Sequence, residues 1–151
     1  MWDEYKKGFG NLEDSFWIGN DVIHQLTKGR KSSLYVSITL RNGTKLYKYF
    51  DQFSVSDEAD NYRLFLGGPA TGTLGDRMAG QSGMAFSTPD RDSDRDRVNC
   101  AAEYKGGWWF KSCYQVYLNG PWSPGTWRRP WNPTVIDGRE IKETLMMIKP
   151  H

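Results

Sequence analysis

From Ser33 to Leu40 every second residue is apolar: Leu34, Val36, Ile38 and Leu40 alternate with polar or smaller side chains. A period of two places them on one face of a strand. Asn42-Gly43 follows, a dipeptide suited to the left-handed positions of a tight hairpin turn. A second strand then runs from Lys45 to Phe50, and Phe53 and Val55 continue its apolar pattern. Upstream, Phe16, Trp17, Ile18, Val22, Ile23 and Leu26 recur mainly at helical spacing. With Asp14 or Ser15 as cap and Gly29 as stop, they predict a short amphipathic helix, with Phe9 and Leu12 packed beside it. Residues 56–60 read as a turn or one helical turn, Tyr62–Leu66 as another strand, and Glu143–Lys149 as a closing strand.

The texture changes after Gly67-Gly68-Pro69. From about residue 67 to residue 139 the chain is mostly Gly, Pro, Asp, Ser and Trp, which is loop chemistry. The aromatic residues, 15% of the whole chain, are too many here for a disordered segment. A compact irregular lobe is expected, with a core resting on rings that bury about 150–250 Å² each. The chain of 151 residues has the size of one domain. There is no internal repeat and no linker.

Charge narrows the function. The net charge is +2, from 20 basic and 18 acidic residues, with no basic stripe for a phosphate backbone, so nucleic acid is not expected as a partner. No apolar run approaches a membrane span, so no membrane insertion is expected. The start of the chain has no signal-peptide pattern and says nothing about compartment. Cys100 and Cys113 lie 13 residues apart. That spacing suits a disulfide, or equally two buried thiols in a reducing compartment. Asn42-Gly43-Thr44 is a glycosylation sequon on the expected hairpin tip, with Asn42 as acceptor.

The run Asp90-Arg91-Asp92-Ser93-Asp94-Arg95-Asp96 carries four carboxylates within seven positions. Their repulsion needs an offset. Either Arg91, Arg95 and Arg97 pair with them, or a hard cation such as calcium, which accepts about 6–8 oxygens, sits among them. An EF-hand does not fit: with Asp92 first, Arg97 stands sixth, where glycine belongs. Histidine-based catalysis has only His24, on the expected helix, and His151, the last residue and expected to be mobile. There is no Walker loop, no GxGxxG and no HExxH, so an enzyme is not expected.

The run Phe86-Ser87-Thr88-Pro89-Asp90-Arg91-Asp92-Ser93-Asp94, the Asn99-Cys100-Ala101 step, Gly107-Trp108-Trp109, Cys113 and Leu118-Asn119-Gly120 together resemble the fibrinogen C-terminal domain family. That family includes fibrinogen chains, ficolins, tachylectins, angiopoietins and tenascins. Phe16–His24, Asp57–Tyr62 and Leu145–Pro150 agree in order, so the resemblance covers nearly the whole chain. It implies an α+β fold with a twisted, mostly antiparallel sheet, short helices and a loop-rich lobe for calcium and ligand. Residues 1–151 would be one domain: a sheet subdomain of about 1–66 plus closing strand 140–150, and a ligand subdomain of about 67–139. The family's usual N-terminal subdomain would be missing, leaving edge strands open.

The resemblance further implies a Cys100–Cys113 disulfide. Calcium would be held by the side chains of Asp92 and Asp94 and the backbone carbonyls of Asp96 and Val98. The Ser112-Cys113 peptide would be cis, turning backbone amides toward an acetyl group, and Tyr104 would help form a pocket for its methyl. Tyr114 stands where the family often has histidine, and it cannot switch charge near neutral pH. The Tyr-Ala pair that lectin-like members place between Pro121 and Arg139 is absent, so that wall would be missing or rebuilt from Trp122, Trp127 or Trp131. The expected function is an extracellular, secreted, calcium-dependent recognition module, lectin-like, binding acetylated glycans in innate immunity. The alternative is a receptor- or matrix-binding ligand with structural calcium, its interface at Arg128-Arg129-Pro130-Trp131. Oligomerisation would use segments absent here.

Overall fold

The structure is a computed structural model that describes residues 1–121 and 127–151. Trp122, one candidate for the rebuilt wall, lies outside the described residues.

The alternating segment forms β3 (Ser32–Leu40), the hub of a four-stranded antiparallel sheet. Its partners are β4 (Lys45–Val55) and β8 (Ile141–Pro150), and β4 in turn pairs with β5 (Leu64–Gly72), giving the order β5-β4-β3-β8. Leu34 stands opposite Phe50 on one side and Ile148 on the other. Leu34, Val36 and Ile38 are wholly buried. The hairpin between β3 and β4 closes with Gly43 at φ 92°, the left-handed conformation that its dipeptide predicts.

Two stretches differ from the sequence expectation. The early helix is shorter: α2 (Asn20–Thr27) is entered through Gly19, not through Asp14 or Ser15. Phe16–Trp17 instead forms β2, paired with β1 (Phe9–Gly10) behind a first helix, α1 (Trp2–Lys7). Glycines decide this. A Cβ on Gly10 would lie 1.8 Å from the Ser15 carbonyl oxygen, and one on Gly19 2.7 Å from the Lys7 carbonyl. These close backbone approaches bend residues 8–19 into a hairpin that places Trp17 inward. The second difference is β5, which starts after Tyr62, because Asn61 and Tyr62 are both left-handed at φ 55° and 50°, and which runs on to Gly72.

α2 packs on β4 through polar links as well as Ile23. The Val55 amide donates to Thr27 Oγ1 (3.2 Å), and His24 Nδ1 lies 2.8 Å from the Val55 carbonyl. His24 is therefore a structural tie. His151 is held rather than mobile: its amide donates to the Lys31 carbonyl (2.9 Å) and Nε2 lies 2.6 Å from Ser33 Oγ.

The lobe has little regular structure: α3 (Cys100–Tyr104) and the small ribbon β6 (Arg128–Trp131) with β7 (Val135–Asp137). Its core is aromatic, with Trp108, Trp109, Phe110 and Trp131 wholly buried. Trp108 and Trp109 are thus both core residues.

Candidate functional site

The acidic run folds as a chain of small turns closed by its own carboxylates. Asp92 Oδ1 accepts from the Asp94 amide (3.2 Å), Asp94 Oδ1 from Asp96 (2.9 Å) and Asp96 Oδ1 from Val98 (3.1 Å). Asp94 Oδ2 also accepts from the Cys100 amide at 2.9 Å, tying the loop to the start of α3. Asn99 caps that helix, accepting from the Ala102 amide (3.0 Å), and its own amide group holds the Pro89 carbonyl (3.0 Å).

The arginines do not neutralise these acids. Among the described residues no ion pair joins Asp92, Asp94 or Asp96 to an arginine. Arg91 turns away, its guanidinium 4.0 Å from the Trp2 ring centre and donating to Asn61 Oδ1 at 2.6 Å. Partial burial pushes the Asp94 carboxyl up, and the neighbouring Asp92 adds to this, against the two amides that Asp94 accepts. Among the described residues the Asp96 and Val98 carbonyls accept no hydrogen bond. All-oxygen donors, uncompensated carboxylates and free carbonyls fit a hard cation. A thiolate-type site is excluded nearby: Asp96 lies beside the two cysteine sulfurs, but these are bonded to each other.

The Cys100–Cys113 disulfide, with a Cα–Cα distance of 5.6 Å, fastens the acidic loop and α3 to the end of the aromatic segment that follows. The Ser112-Cys113 peptide is cis. Directly beyond it opens a cavity of about 550 Å³ that Tyr104, Ser112, Cys113 and Tyr114 all line. The four residues marked for a ligand therefore meet in one place.

The tyrosines are well anchored. Tyr104 and Tyr114 meet edge to face, with ring centres 5.0 Å apart. Tyr114 donates its hydroxyl to the Arg128 carbonyl at 2.5 Å. Burial, then Tyr104, push that hydroxyl up to about 12, so it stays a neutral donor at physiological pH. Tyr117 donates to the Tyr104 carbonyl (2.9 Å), pinning the end of α3. Gly106 is required there, since a Cβ would lie 2.3 Å from the Tyr117 hydroxyl.

The Fibrinogen_C family model, described as the C-terminal globular domain of fibrinogen beta and gamma chains, matches residues 1–151. The chain belongs to the fibrinogen C-terminal domain family. Ryncolin-4 of Cerberus rynchops is 38% identical over 124 residues, covering 82% of this chain and 36% of that protein. Tenascin-R of Gallus gallus is 46% identical over 120 residues, covering 79% of this chain and 9% of that protein. The chain thus spans a minor part of these relatives. The solved fibrinogen-like globe domain of human ANGPTL6 superposes with a TM-score of 0.90 at 33% identity, covering all of this chain and 71% of that one. The fibrinogen-like α+β fold follows, and with it a recognition or binding role rather than an enzymatic one. Among the described residues no helix is long and apolar enough to cross a membrane.

Two of the rings expected to rebuild the wall between Pro121 and Arg139 lie in the core. Trp127 and Trp131 are core residues: their indole N–H groups donate to the Tyr117 carbonyl (2.8 Å) and the Gly75 carbonyl (2.7 Å). Among the described residues of this stretch, Pro121, Arg128 and Arg129 reach the cavity, joined by Lys105 and Gln115. Arg128 and Arg129 belong to the Arg-Arg-Pro-Trp stretch that the sequence offers as a receptor interface, not as a pocket wall. Asn42 sits exposed on the hairpin turn, its Oδ1 accepting from the Thr44 amide at 2.9 Å.

Proposed function

We propose that this fibrinogen-related domain is an extracellular recognition module in which calcium at the acidic loop holds a ligand pocket for acetylated glycans, in an innate-immune setting. The observation that carries the reading is the single cavity lined by Tyr104, Ser112, Cys113 and Tyr114, joined by one disulfide to the loop of Asp92 and Asp94. Asp92 and Asp94 would supply side-chain ligands, and Asp96 and Val98 their carbonyls. When bound, calcium would cancel the repulsion in the loop. The chain's own residues do the rest: the Ser112-Cys113 amides donate to an acetyl oxygen, the Tyr104–Tyr114 edge meets its methyl, and the disulfide keeps both in register. Such preorganisation lowers the entropy lost on binding.

The disulfide suits an oxidising compartment, and the exposed Asn42 would carry the glycan. We take residues 1–66 with 140–150 as the sheet subdomain and 67–139 as the ligand subdomain of this one domain. A second reading, a receptor- or matrix-binding ligand with structural calcium, is favoured by the exposed Arg128-Arg129 pair.

The test is a calcium titration by calorimetry on the protein and on Asp92→Ala and Asp94→Ala. Saturable binding is expected, lost in both variants, followed by N-acetylglucosamine binding that needs calcium. A folded protein that takes no calcium would overturn the metal assignment. Calcium binding with no acetyl-sugar binding would move the balance to the receptor reading.

A further inference from the structure

The charged residues lining the cavity are Glu103, Lys105, Arg128 and Arg129, three cations against one carboxylate. Among the described residues none of the three cations is engaged in an ion pair. The whole chain carries only +2, so this one concavity holds as much excess positive charge as the entire molecule. Arg128 and Arg129 both lower the Tyr114 hydroxyl against the upward push of burial, so their positive field reaches the pocket.

The two arginines stand on a fixed base. Beyond them Pro130 and Trp131 are buried. The Pro130 carbonyl accepts from the Tyr117 amide (2.9 Å), the Asn132 amide donates to the Gln115 carbonyl (2.9 Å), and the Trp131 indole is held by Gly75. Arg129 itself is left-handed at φ 50°, a conformation that an L-residue adopts only where its surroundings hold it there. The backbone that follows is thus positioned while both arginines remain exposed. Guanidinium groups match planar carboxylates and other oxyanions with paired donors.

We propose that this cavity selects acetylated ligands that also bear an anionic oxygen group, a carboxylate or sulfate, with Arg128 and Arg129 as the specificity-determining residues and Lys105 as a third cation. The proposal rests on the acetyl-pocket reading above and adds the charge of the ligand to it. An acidic acetylated sugar satisfies both halves of the site at once. A neutral acetylated sugar leaves the cations to solvent.

The test is an NMR shift titration of the protein, in calcium, with N-acetylneuraminic acid, N-acetylglucosamine 6-sulfate, N-acetylglucosamine and glucuronic acid. It is repeated on Arg128→Gln/Arg129→Asn, where asparagine tolerates the left-handed backbone, and on Arg128→Lys. An acidic acetylated sugar should bind roughly tenfold more tightly than N-acetylglucosamine, as expected for one or two exposed charge-assisted contacts. That advantage should vanish in the double variant, shrink in raised salt and partly survive in Arg128→Lys, while N-acetylglucosamine is unchanged. The neuraminic acid and the sulfated sugar separate carboxylate from sulfate. Equal binding of neutral and acidic acetyl sugars, or an advantage that persists in the double variant, overturns the proposal and leaves the acetyl pocket standing. Glucuronic acid binding as well as the acetylated acids, dependent on the arginines, would sustain the anion site and remove the acetyl reading. Binding by none of the four sugars overturns both.

Discussion

The sheet and the lobe hold their backbones in different ways. In the sheet, β3 satisfies its groups on both sides through long ladders with β4 and β8, the second shifting register only at Thr39/Leu40. In the lobe, side chains take over that task. The indole N–H groups of Trp109, Trp127 and Trp131 donate to the carbonyls of Tyr62, Tyr117 and Gly75. Buried Gln81 donates to the Trp109 carbonyl (2.8 Å) and accepts from the Val116 amide (2.9 Å). Asn119 donates to the Gly107 carbonyl (2.9 Å). Trp108 differs: among the described residues its buried indole N–H meets no partner. A sheet therefore spreads its polar satisfaction over many repeated bonds, each replaceable, whereas the lobe concentrates it in a few large residues. That concentration frees the intervening backbone to form turns, and the candidate site is made of such turns.

The sharpest way to break this contrast is Trp109→Ala. It opens a cavity costing about 3–5 kcal/mol and leaves the Tyr62 carbonyl without its indole donor, a further penalty of about 1–3 kcal/mol. Urea denaturation should show a larger loss than for Leu34→Ala at the centre of the sheet, expected at about 2–5 kcal/mol. A larger loss from Leu34→Ala would reverse the contrast. Next in size is Cys100→Ala/Cys113→Ala. Opening a loop of 13 residues should cost about 3 kcal/mol. Hydrogen exchange should quicken around α3 and the acidic loop well beyond the general loss shared by the sheet. Uniform quickening would show that the lobe is not a separately stapled unit.

The smallest effect concerns the ties between α1, α2 and the turn before β5. Lys6 bridges Asp21 and Glu58, both at 3.0 Å. The Tyr62 hydroxyl, with Lys6, holds Asp21 below its ordinary 3.8. The Trp2 indole, with Lys6, holds Glu58 below its ordinary 4.5. Because both folded carboxyls titrate below their unfolded values, their contribution is fully present above about pH 5 and is lost as the pH falls through the folded values. Both groups are well exposed, so the loss should stay under about 1 kcal/mol. Stability measured against pH should show a shallower acid decline in Lys6→Met. An unchanged slope would remove the bridge from the balance.

Much of the sheet was legible because a period of two needs no knowledge of its partner. Leu34, Val36 and Ile38 announce a buried face wherever the strand lies. The start of the short early helix was not legible, for the opposite reason. Phe16 and Trp17 fit helical spacing, and only the contact of Gly10 with Ser15 and of Gly19 with Lys7 shows that the backbone cannot continue there. The resemblance carried by Cys100, Gly107-Trp108-Trp109 and Cys113 marked Tyr104, Ser112 and Tyr114, residues brought together by folding rather than by spacing. It did not indicate what closes the pocket. Trp127 and Trp131 looked like wall residues, but each indole is needed inside as a donor to a buried carbonyl, and Arg128 and Arg129 take the open position.

The sequence by itself determined the alternating strands, the hairpin turn, the alternation of carboxylates and the family, because each is written in local spacing or in a run of residue types. Only the tertiary structure decided which side chains satisfy the lobe's backbone, that the loop's arginines leave its carboxylates unpaired, and that three cations face one cavity. Those outcomes depend on distances between residues far apart in the chain, which local spacing does not encode.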